Sequence, residues 1–159
     1  MFGFGKKKIF TLKAPLSGKP VPLEDVPDPA FAERLVGDGG AIEPSGDLLV
    51  APCDGTVAVL FPTGHAVALV ADNNLEILMH IGIDTVDLKG VGFEKLVKQG
   101  DKVVQGQALI RFDTNAIKAG DKPTVTPVLI TNMEAIKSVG ICDGEQVAGE
   151  TDFMTIELV

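Results

Sequence analysis

The sequence predicts an all-β fold, an antiparallel β-sandwich built from a duplicated hybrid motif with a few short helices. Its 159 residues include 18 glycines and 10 prolines, which divide the chain into short segments rich in valine, isoleucine and leucine. Such segments, separated by turn residues, are typical of sandwiches and barrels. An internal repeat, described below, is the second observation that favours this fold.

Five segments are predicted to be strands because aliphatic and β-branched residues are bounded by turn residues. They cover residues 55–61, 66–71, 75–83, 108–112 and 125–131. Three short segments have helical potential, at residues 29–35, 92–99 and 132–139. The first of these begins with Asp28 and Pro29, an N-cap and N1 pair that favours a helix start.

Two internal similarities bear on the architecture. Residues 14–23 and 51–60 share Ala-Pro, a glycine and a final leucine at equivalent positions, and residues 100–106 and 144–149 share a looser pattern. Because β-turns reuse Gly, Pro and Asp, the looser similarity could be coincidental. The first predicts a duplicated β-motif whose two halves pack into one sandwich.

Charge and cysteine content exclude several classes of protein. Fourteen basic and 22 acidic residues give a net charge of -8, which argues against nucleic acid binding and suits basic protein partners. Cys53 and Cys142 are too few for a disulfide framework or a Cys-x-x-Cys zinc site. We expect two reduced thiols, at least one of them buried.

The amino terminus is predicted to be a flexible tail over residues 1–11, followed by a single domain over residues 12–159. The tail has an aromatic patch, Phe2 and Phe4, followed by three lysines, and it lacks the long apolar run of a signal peptide. We therefore expect a cytoplasmic protein whose tail makes at most weak contact with anionic lipid. We also expect the chain to be a monomer.

The only two histidines, His65 and His80, lie in neighbouring strand-like segments. A two-residue turn at Asp72 and Asn73 would place them directly opposite each other, with Cβ atoms about 4.5–5.5 Å apart. A neutral imidazole is a competent nucleophile and proton carrier near pH 7. Either the pair forms a site in which one histidine carries a group that the other holds, or the pairing is an accident of structural histidines.

Residues on the proposed face support the functional interpretation. Thr63 precedes His65 by two positions, so its hydroxyl could bond a ring nitrogen and fix the tautomer. Val67 and Leu78 would extend the same face with apolar surface that excludes water and docks a partner.

Two carboxylates, Asp84 and Asp87, follow the second histidine. Beside a phosphorylated imidazole they would repel the phosphate unless arginines of a partner neutralised them. The alternative is that both are ordinary turn residues; we favour function for Asp84 and leave Asp87 open. Signatures of ATP-binding loops, serine hydrolases and zinc peptidases are missing from the sequence.

Over residues 12–159 the chain resembles the glucose-type enzyme IIA of the bacterial phosphoenolpyruvate:sugar phosphotransferase system. The matching stretches are Ala14-Pro-Leu-Ser-Gly18, Asp25-Val-Pro-Asp28, Phe31-Ala-Glu33, Val36-Gly-Asp-Gly39, Pro62-Thr-Gly-His-Ala66, His80-Ile-Gly-Ile-Asp-Thr-Val-Asp-Leu-Lys-Gly90 and Gly92-Phe93. The resemblance implies a cytoplasmic phosphocarrier with an antiparallel β-sandwich fold.

The resemblance also assigns roles to the histidines. In this family the histidine of His-Ile-Gly-Ile-Asp-Thr accepts phosphoryl from the histidine-containing phosphocarrier HPr and passes it to a cysteine of a sugar-specific IIB domain. That residue is His80 here. His65 would bond the phosphoryl group and help it leave, while Thr63 orients His65. The chain would thus be a phosphotransferase component, a phosphohistidine carrier.

A ring of apolar docking residues is implied in the same way. Its members would be Phe31, Leu35, Val36, Phe61 and Val86, with Asp28, Asp84 and, less clearly, Asp87 facing partner arginines. The family usually has phenylalanine two residues after the first histidine and often beside the second. Here those positions are Val67, Leu78 and Ile81, so the ring is more aliphatic.

Other functions remain as alternatives. A zinc peptidase of a related duplicated motif would also need a His-x-His pair, and a biotinyl or lipoyl carrier would need a lysine in Met-Lys-Met or Asp-Lys-Ala; neither occurs. His65 and His80 could share a zinc ion with a partner's carboxylate, but two ligands are too few for us to expect a required cofactor. Regulatory contacts with permeases or kinases would follow from family analogy alone.

Overall fold

The computed structural model describes residues 8–159, which form thirteen strands and few helices. In chain order the strands are β1 Lys8–Lys13, β2 Gly18–Val21, β3 Asp38–Pro44, β4 Leu48–Val50, β5 Gly55–Leu60, β6 Ala66–Ala71, β7 Glu76–His80, β8 Phe93–Lys95, β9 Lys102–Val103, β10 Ala108–Phe112, β11 Thr126–Ile130, β12 Ile136–Ile141 and β13 Asp152–Leu158. The helices are α1 Pro29–Ala32 and α2 Thr114–Ala119, with single 3-10 turns at Leu23–Asp25, Thr85–Leu88 and Met133–Ala135.

The strands form one large sheet and two small ones. The large sheet has the order β2-β3-β11-β7-β6-β5-β9, and the small sheets have the orders β1-β13-β12 and β4-β10-β8. Side chains from all three sheets meet in the main core, among them Leu12, Leu49, Val67, Val128 and Phe153. Neighbouring strands pair antiparallel, so the prediction of an antiparallel β-sandwich is confirmed.

The large sheet is covered on both faces. Since side chains alternate along a strand, Val128 and Ile130 of β11 face the main core, while Leu129 joins a second apolar cluster on the outer face. The segment between β2 and β3, residues 22–37, contributes Phe31 to that cluster. This segment therefore lies over the outer face of the sheet, where the site is found.

Most strand predictions agree with the structure. Strands β6 and β10 have the predicted bounds, and β5 and β11 are slightly shorter than predicted. The predicted strand 75–83 ends early, at His80, because Gly82 has a φ of 71° and Asp84 a φ of 56°, which extended strands do not adopt.

The helix predictions were less successful. Helix α1 begins at Pro29 under the Asp28 cap as predicted but is only one turn long. Residues 92–99 are not helical, because β8 pairs with β10, and most of residues 132–139 belong to a 3-10 turn and β12, which pairs with β13. Helix α2 was missed, although Asp113 caps it by accepting hydrogen bonds from two backbone N–H groups.

The predicted flexible tail is wrong for Lys8–Thr11, since strand β1 pairs with β13 from Lys8 onward. Phe2, Phe4, Lys6 and Lys7 lie outside the described residues. Within residues 8–159 no helix is long and apolar enough to cross a membrane. Cys53 and Cys142 are both free thiols, and Cys53 is buried, as expected.

The two similar halves of the sequence form equivalent backbone hydrogen bonds. The carbonyl of Ala14 accepts from the N–H of Gly149 at 2.8 Å, and the carbonyl of Ala51 accepts from the N–H of Gly106 at 2.8 Å. The Gln105 side chain then links the two turns by donating to the Gly149 carbonyl at 2.9 Å. Both similarities in the sequence therefore belong to one duplicated motif, including the one that turn composition alone could have explained.

Candidate active site

The β6–β7 hairpin has a different register from the predicted one. Its turn contains three residues, 72–74, and Asn74 has a left-handed φ of 71°. Strand pairing therefore places Ala66, and not His65, opposite His80. The predicted two-residue turn is wrong because a three-residue hairpin loop closes with its last residue in the left-handed region, which asparagine tolerates.

The two imidazoles are nevertheless in contact. Their ring centroids lie 5.0 Å apart at an interplanar angle of 75°. His65 precedes the first residue of β6 and follows Gly64, whose φ is 74°, so strand alternation does not fix its side-chain direction. The N–H of Ile81 donates to the His65 carbonyl at 2.7 Å and ties the two segments together.

Two phenylalanines complete a row of four rings. Phe31 of α1 lies 5.3 Å from His80, and Phe61 lies 5.3 Å from His65, between ring centroids. The rings therefore follow the order Phe31, His80, His65, Phe61. Each histidine has an apolar neighbour on its outer side, which limits the access of water to the space between the imidazoles.

His80 presents a single free nitrogen. Its Nδ1 lies 2.7 Å from the carbonyl oxygen of Gly82 and must donate the proton, because a carbonyl can only accept. Burial lowers the pKa of His80, while the Gly82 bond and the nearby carboxylates of Asp28 and Asp84 oppose that shift. The imidazole is therefore neutral near pH 7, with the lone pair on Nε2 available as a nucleophile.

His65 is more deeply enclosed, with 4% of its surface exposed. Its burial, with a smaller contribution from His80, lowers the pKa of His65 to about 4. The Thr63 hydroxyl bonds its Nδ1, as the sequence predicted from their spacing. When that hydroxyl donates, the proton of His65 resides on Nε2, where it can be donated to an oxygen of a group held on His80.

Five apolar residues predicted for the site fall into three groups by exposure. Leu35 and Val86 are 71% and 51% exposed, Val36 and Phe61 are half-buried, and Phe31 is buried against His80. All five belong to the predicted docking ring. Exposed apolar side chains such as those of Leu35 and Val86 are suited to contact a partner.

One member of the predicted apolar face is misplaced. Val67 pairs with Met79, faces the main core and is fully buried, so it does not reach a docked partner. The one-residue change in register is the reason, since it moves a side chain to the other face of the sheet. Leu78 remains half-buried on the same face as His80, whereas Ile81 is fully buried.

The three candidate carboxylates have different surroundings. Asp28 accepts a hydrogen bond from the N–H of Ala30 at 2.9 Å and so caps α1. Asp84 is exposed in a left-handed conformation. Asp87 forms an ion pair with Lys122 at 3.1 Å, so it is already partly neutralised within the chain.

Sequence reasoning missed the groups that hold the backbone after His80 in place. Gly82 supplies the carbonyl that fixes the tautomer, and its own N–H donates to the hydroxyl of Thr126 on β11. Thr85 is fully buried and donates to the carbonyl of Ile81. Gly82 and Thr85 are part of the quoted histidine motif, but Thr126 lies in a distant segment and has no local signal.

The described residues offer few ligands for a metal ion. Across residues 8–159 no group of three or more His, Cys, Asp or Glu side chains could hold a metal ion. His65 and His80 offer two ligands, so zinc shared with a partner stays a prediction.

Comparison with known proteins gives consistent results. A model of the phosphoenolpyruvate-dependent sugar phosphotransferase system, EIIA 1, matches residues 10–136. The glucose-specific EIIA component of Staphylococcus aureus is 44% identical over 161 residues, covering 99% of this chain and 97% of that protein. The corresponding component of Staphylococcus epidermidis is 44% identical over 159 residues, covering 98% and 96%.

A solved structure is similar over the same length. The glucose permease IIA from Mycoplasma capricolum superposes with a TM-score of 0.87 at 34% sequence identity, covering 98% of this chain and 99% of the other. Both the sequence and the fold are therefore shared over almost the whole chain. The resemblance read from the motifs is confirmed, and the chain belongs to the EIIA 1 family of the phosphoenolpyruvate-dependent sugar phosphotransferase system.

Proposed function

We propose that Nε2 of His80 accepts a phosphoryl group from phosphorylated HPr and passes it to a cysteine of a glucose-type IIB domain. As a member of its family, the chain is a phosphoryl carrier of the sugar phosphotransferase system. The observation that carries the assignment to His80 is its Nδ1 bond to the Gly82 carbonyl, which leaves Nε2 as the free nucleophile. The similarity to components named glucose-specific supports glucose as the sugar.

The proposed reaction consists of two in-line transfers. In the first, a bond forms between His80 Nε2 and phosphorus as the nitrogen–phosphorus bond of the donor breaks. In the second, a cysteine thiolate of the acceptor forms a bond to phosphorus as the bond between phosphorus and His80 Nε2 breaks, and His80 leaves as a neutral imidazole with its proton on Nδ1. Because phosphoryl transfer has a loose transition state, alignment and charge stabilisation are the main tasks of the protein.

His65 is suited to assist both transfers. Its ring is in contact with that of His80, and its Nε2 can donate to a phosphoryl oxygen when Thr63 donates to Nδ1. A neutral donor stabilises the charge that develops on those oxygens without the cost of burying an extra charge. Transfer between nitrogen and sulfur nucleophiles of this kind requires neither a metal nor a nucleotide, and we propose that none takes part.

The surface around His80 provides the proposed docking site for both partners. Leu35 and Val86 supply exposed apolar contacts, and their closure against a partner would exclude water from the labile phosphohistidine. Asp28 and Asp84 would pair with partner arginines. Asp87 is available to a partner only in competition with Lys122.

Two histidine variants test these roles. The chain is incubated with HPr that carries labelled phosphate, and the label is followed first to the chain and then to a IIB domain. His80→Gln should take up no label, whereas His65→Gln should take up label but pass it on slowly. Glutamine is neutral and polar in both variants, so each serves as the control for the other. Label on the His80→Gln protein would overturn the assignment.

The alternatives considered from the sequence gain no support, since no match favours a zinc peptidase or a biotinyl carrier. We propose that the carrier acts as a monomer in the cytoplasm, and regulatory contacts with permeases or kinases stay predictions. Light scattering on the purified chain measures its mass directly. A stable dimer would contradict the monomer.

A further inference from the structure

Hydrogen bonds hold the donor and the acceptor of each of the two peptide groups that follow Ile81, next to His80. The peptide joining Ile81 to Gly82 has its carbonyl bonded by the Thr85 hydroxyl at 2.5 Å and its N–H bonded to the Thr126 hydroxyl at 3.3 Å. The next peptide has its N–H bonded to the Pro123 carbonyl at 3.1 Å, and its carbonyl is the one that accepts from His80. Both peptides therefore have their donor and acceptor engaged.

The direction of the Thr126 hydrogen bonds is fixed by its surroundings. Its hydroxyl proton is directed to the carbonyl of Thr124, at 3.0 Å, which leaves an oxygen lone pair to accept from Gly82. Thr126 and Thr85 are both fully buried, so water does not replace either hydroxyl. The two side chains hold opposite ends of one peptide group.

The hydrogen bonds from Thr85 and Thr126 matter because the Ile81–Gly82 peptide is followed by the flexible backbone of a glycine. Gly82 has a φ of 71° and no side chain of its own to restrict the rotation of the flanking peptides. Rotation there would move the Gly82 carbonyl away from Nδ1 of His80. The imidazole would then lose the acceptor that keeps the proton on Nδ1 and the lone pair on Nε2.

We propose that Thr85 and Thr126 are positioning residues that set the tautomer and direction of His80 through the Gly82 peptide. In the hydrogen bonds of the described residues, both threonines bond to the Ile81–Gly82 peptide and neither bonds to the His80 imidazole. The inference rests on the proposed function of His80 for its effect on transfer, but the effect on the imidazole itself does not depend on that function.

The experiment compares three variants of the whole chain. Thr126→Val keeps the shape but removes the hydroxyl, and Thr126→Ser restores a hydroxyl. Thr151→Val is the matched control, because the Thr151 hydroxyl also accepts a backbone N–H, from Val147 at 3.1 Å, and donates to an oxygen, of Gln146 at 2.7 Å. Each variant is studied by ¹⁵N NMR of the imidazole nitrogens and by the rate of phosphoryl uptake from HPr.

In the natural chain His80 should show a protonated Nδ1 and an unprotonated Nε2. Thr126→Val should raise the fraction of the opposite tautomer and slow uptake by about fivefold, the effect of losing one hydrogen bond. Thr126→Ser should restore both readouts, and Thr151→Val should leave both unchanged even if it lowers stability. Should Thr126→Val fail to fold, Thr85→Val provides the same comparison.

The opposite results would overturn the proposal. If Thr126→Val keeps the natural ¹⁵N signals of His80, or if Thr151→Val changes them equally, the threonines have only a structural role. A natural chain that takes up no label on His80 would instead refute the proposed function, while the imidazole signals would still decide the positioning role.

Discussion

The depressed pKa of His65 makes stability depend on pH in a way that one substitution should remove. In the unfolded chain the imidazole has an ordinary pKa of 6.5, whereas burial lowers the pKa to about 4 in the folded protein. Between these values the unfolded state binds more protons, so acid favours unfolding. Stability from the neutral His65 is complete above pH 6.5 and is lost as the pH falls towards 4.

The size of the effect follows from the two pKa values. Linkage gives a loss of about 2 kcal/mol in the free energy of unfolding between pH 7.5 and pH 5, rising to about 3 kcal/mol near pH 4. The 4% exposure of His65 means that solvent screening does little to reduce it. His80 adds a loss of the same sign, since burial lowers its pKa as well.

Urea unfolding at pH 7.5 and at pH 5 measures this loss in the natural chain and in His65→Gln. The variant should lose about 2 kcal/mol less than the natural chain between the two pH values. Contributions from carboxylates are common to both proteins and cancel in the comparison, while the smaller repulsion between His65 and His80 is removed together with the His65 imidazole. An equal loss in both proteins would refute the conclusion that His65 is buried in the neutral form.

Three further predictions concern other parts of the molecule. Gly82→Ala should lower the free energy of unfolding by about 2 kcal/mol in urea, because its Cβ would lie 2.8 Å from the Pro123 carbonyl oxygen at a φ of 71°; an unchanged midpoint would contradict this. Phe153→Ala should cost about 3–5 kcal/mol, since the ring is fully buried, and a thermal shift of only a degree or two would argue against its place in the core. Iodoacetamide at pH 8 should modify Cys142 faster than Cys53, whose burial raises its pKa to about 12, and equal rates in the folded chain would contradict that.

Local chemistry was sufficient to predict five of the thirteen described strands, and it did not predict the helical segments correctly. Strands β6 and β10 were predicted with their observed bounds because runs of branched side chains end at turn residues. Residues 92–99 and 132–139 have no comparable signal, and pairing with β10 and β13 decides their structure. Helix α2 was predictable in principle, since Asp113 at its start is a favourable N-cap.

The candidate site was predictable in composition but not in register. His65, His80 and Thr63 could be identified from the sequence, and all three are brought together. The left-handed Asn74 lengthens the hairpin turn by one residue, and no local pattern reveals that choice. The two histidines are in contact although the predicted register is wrong. The reason is that His65 lies just before β6, so the alternation of side chains along the strand does not fix its direction.

The place of β11 in the large sheet has a consequence for the order of folding. This strand lies between β3 and β7, yet it is the last strand of that sheet to be synthesised. Until residues 126–130 leave the ribosome, β3 and β7 each keep an open edge that other chains can pair with. An interrupted chain would carry both histidines without the strand that supports His80, and its open strand edges would promote aggregation.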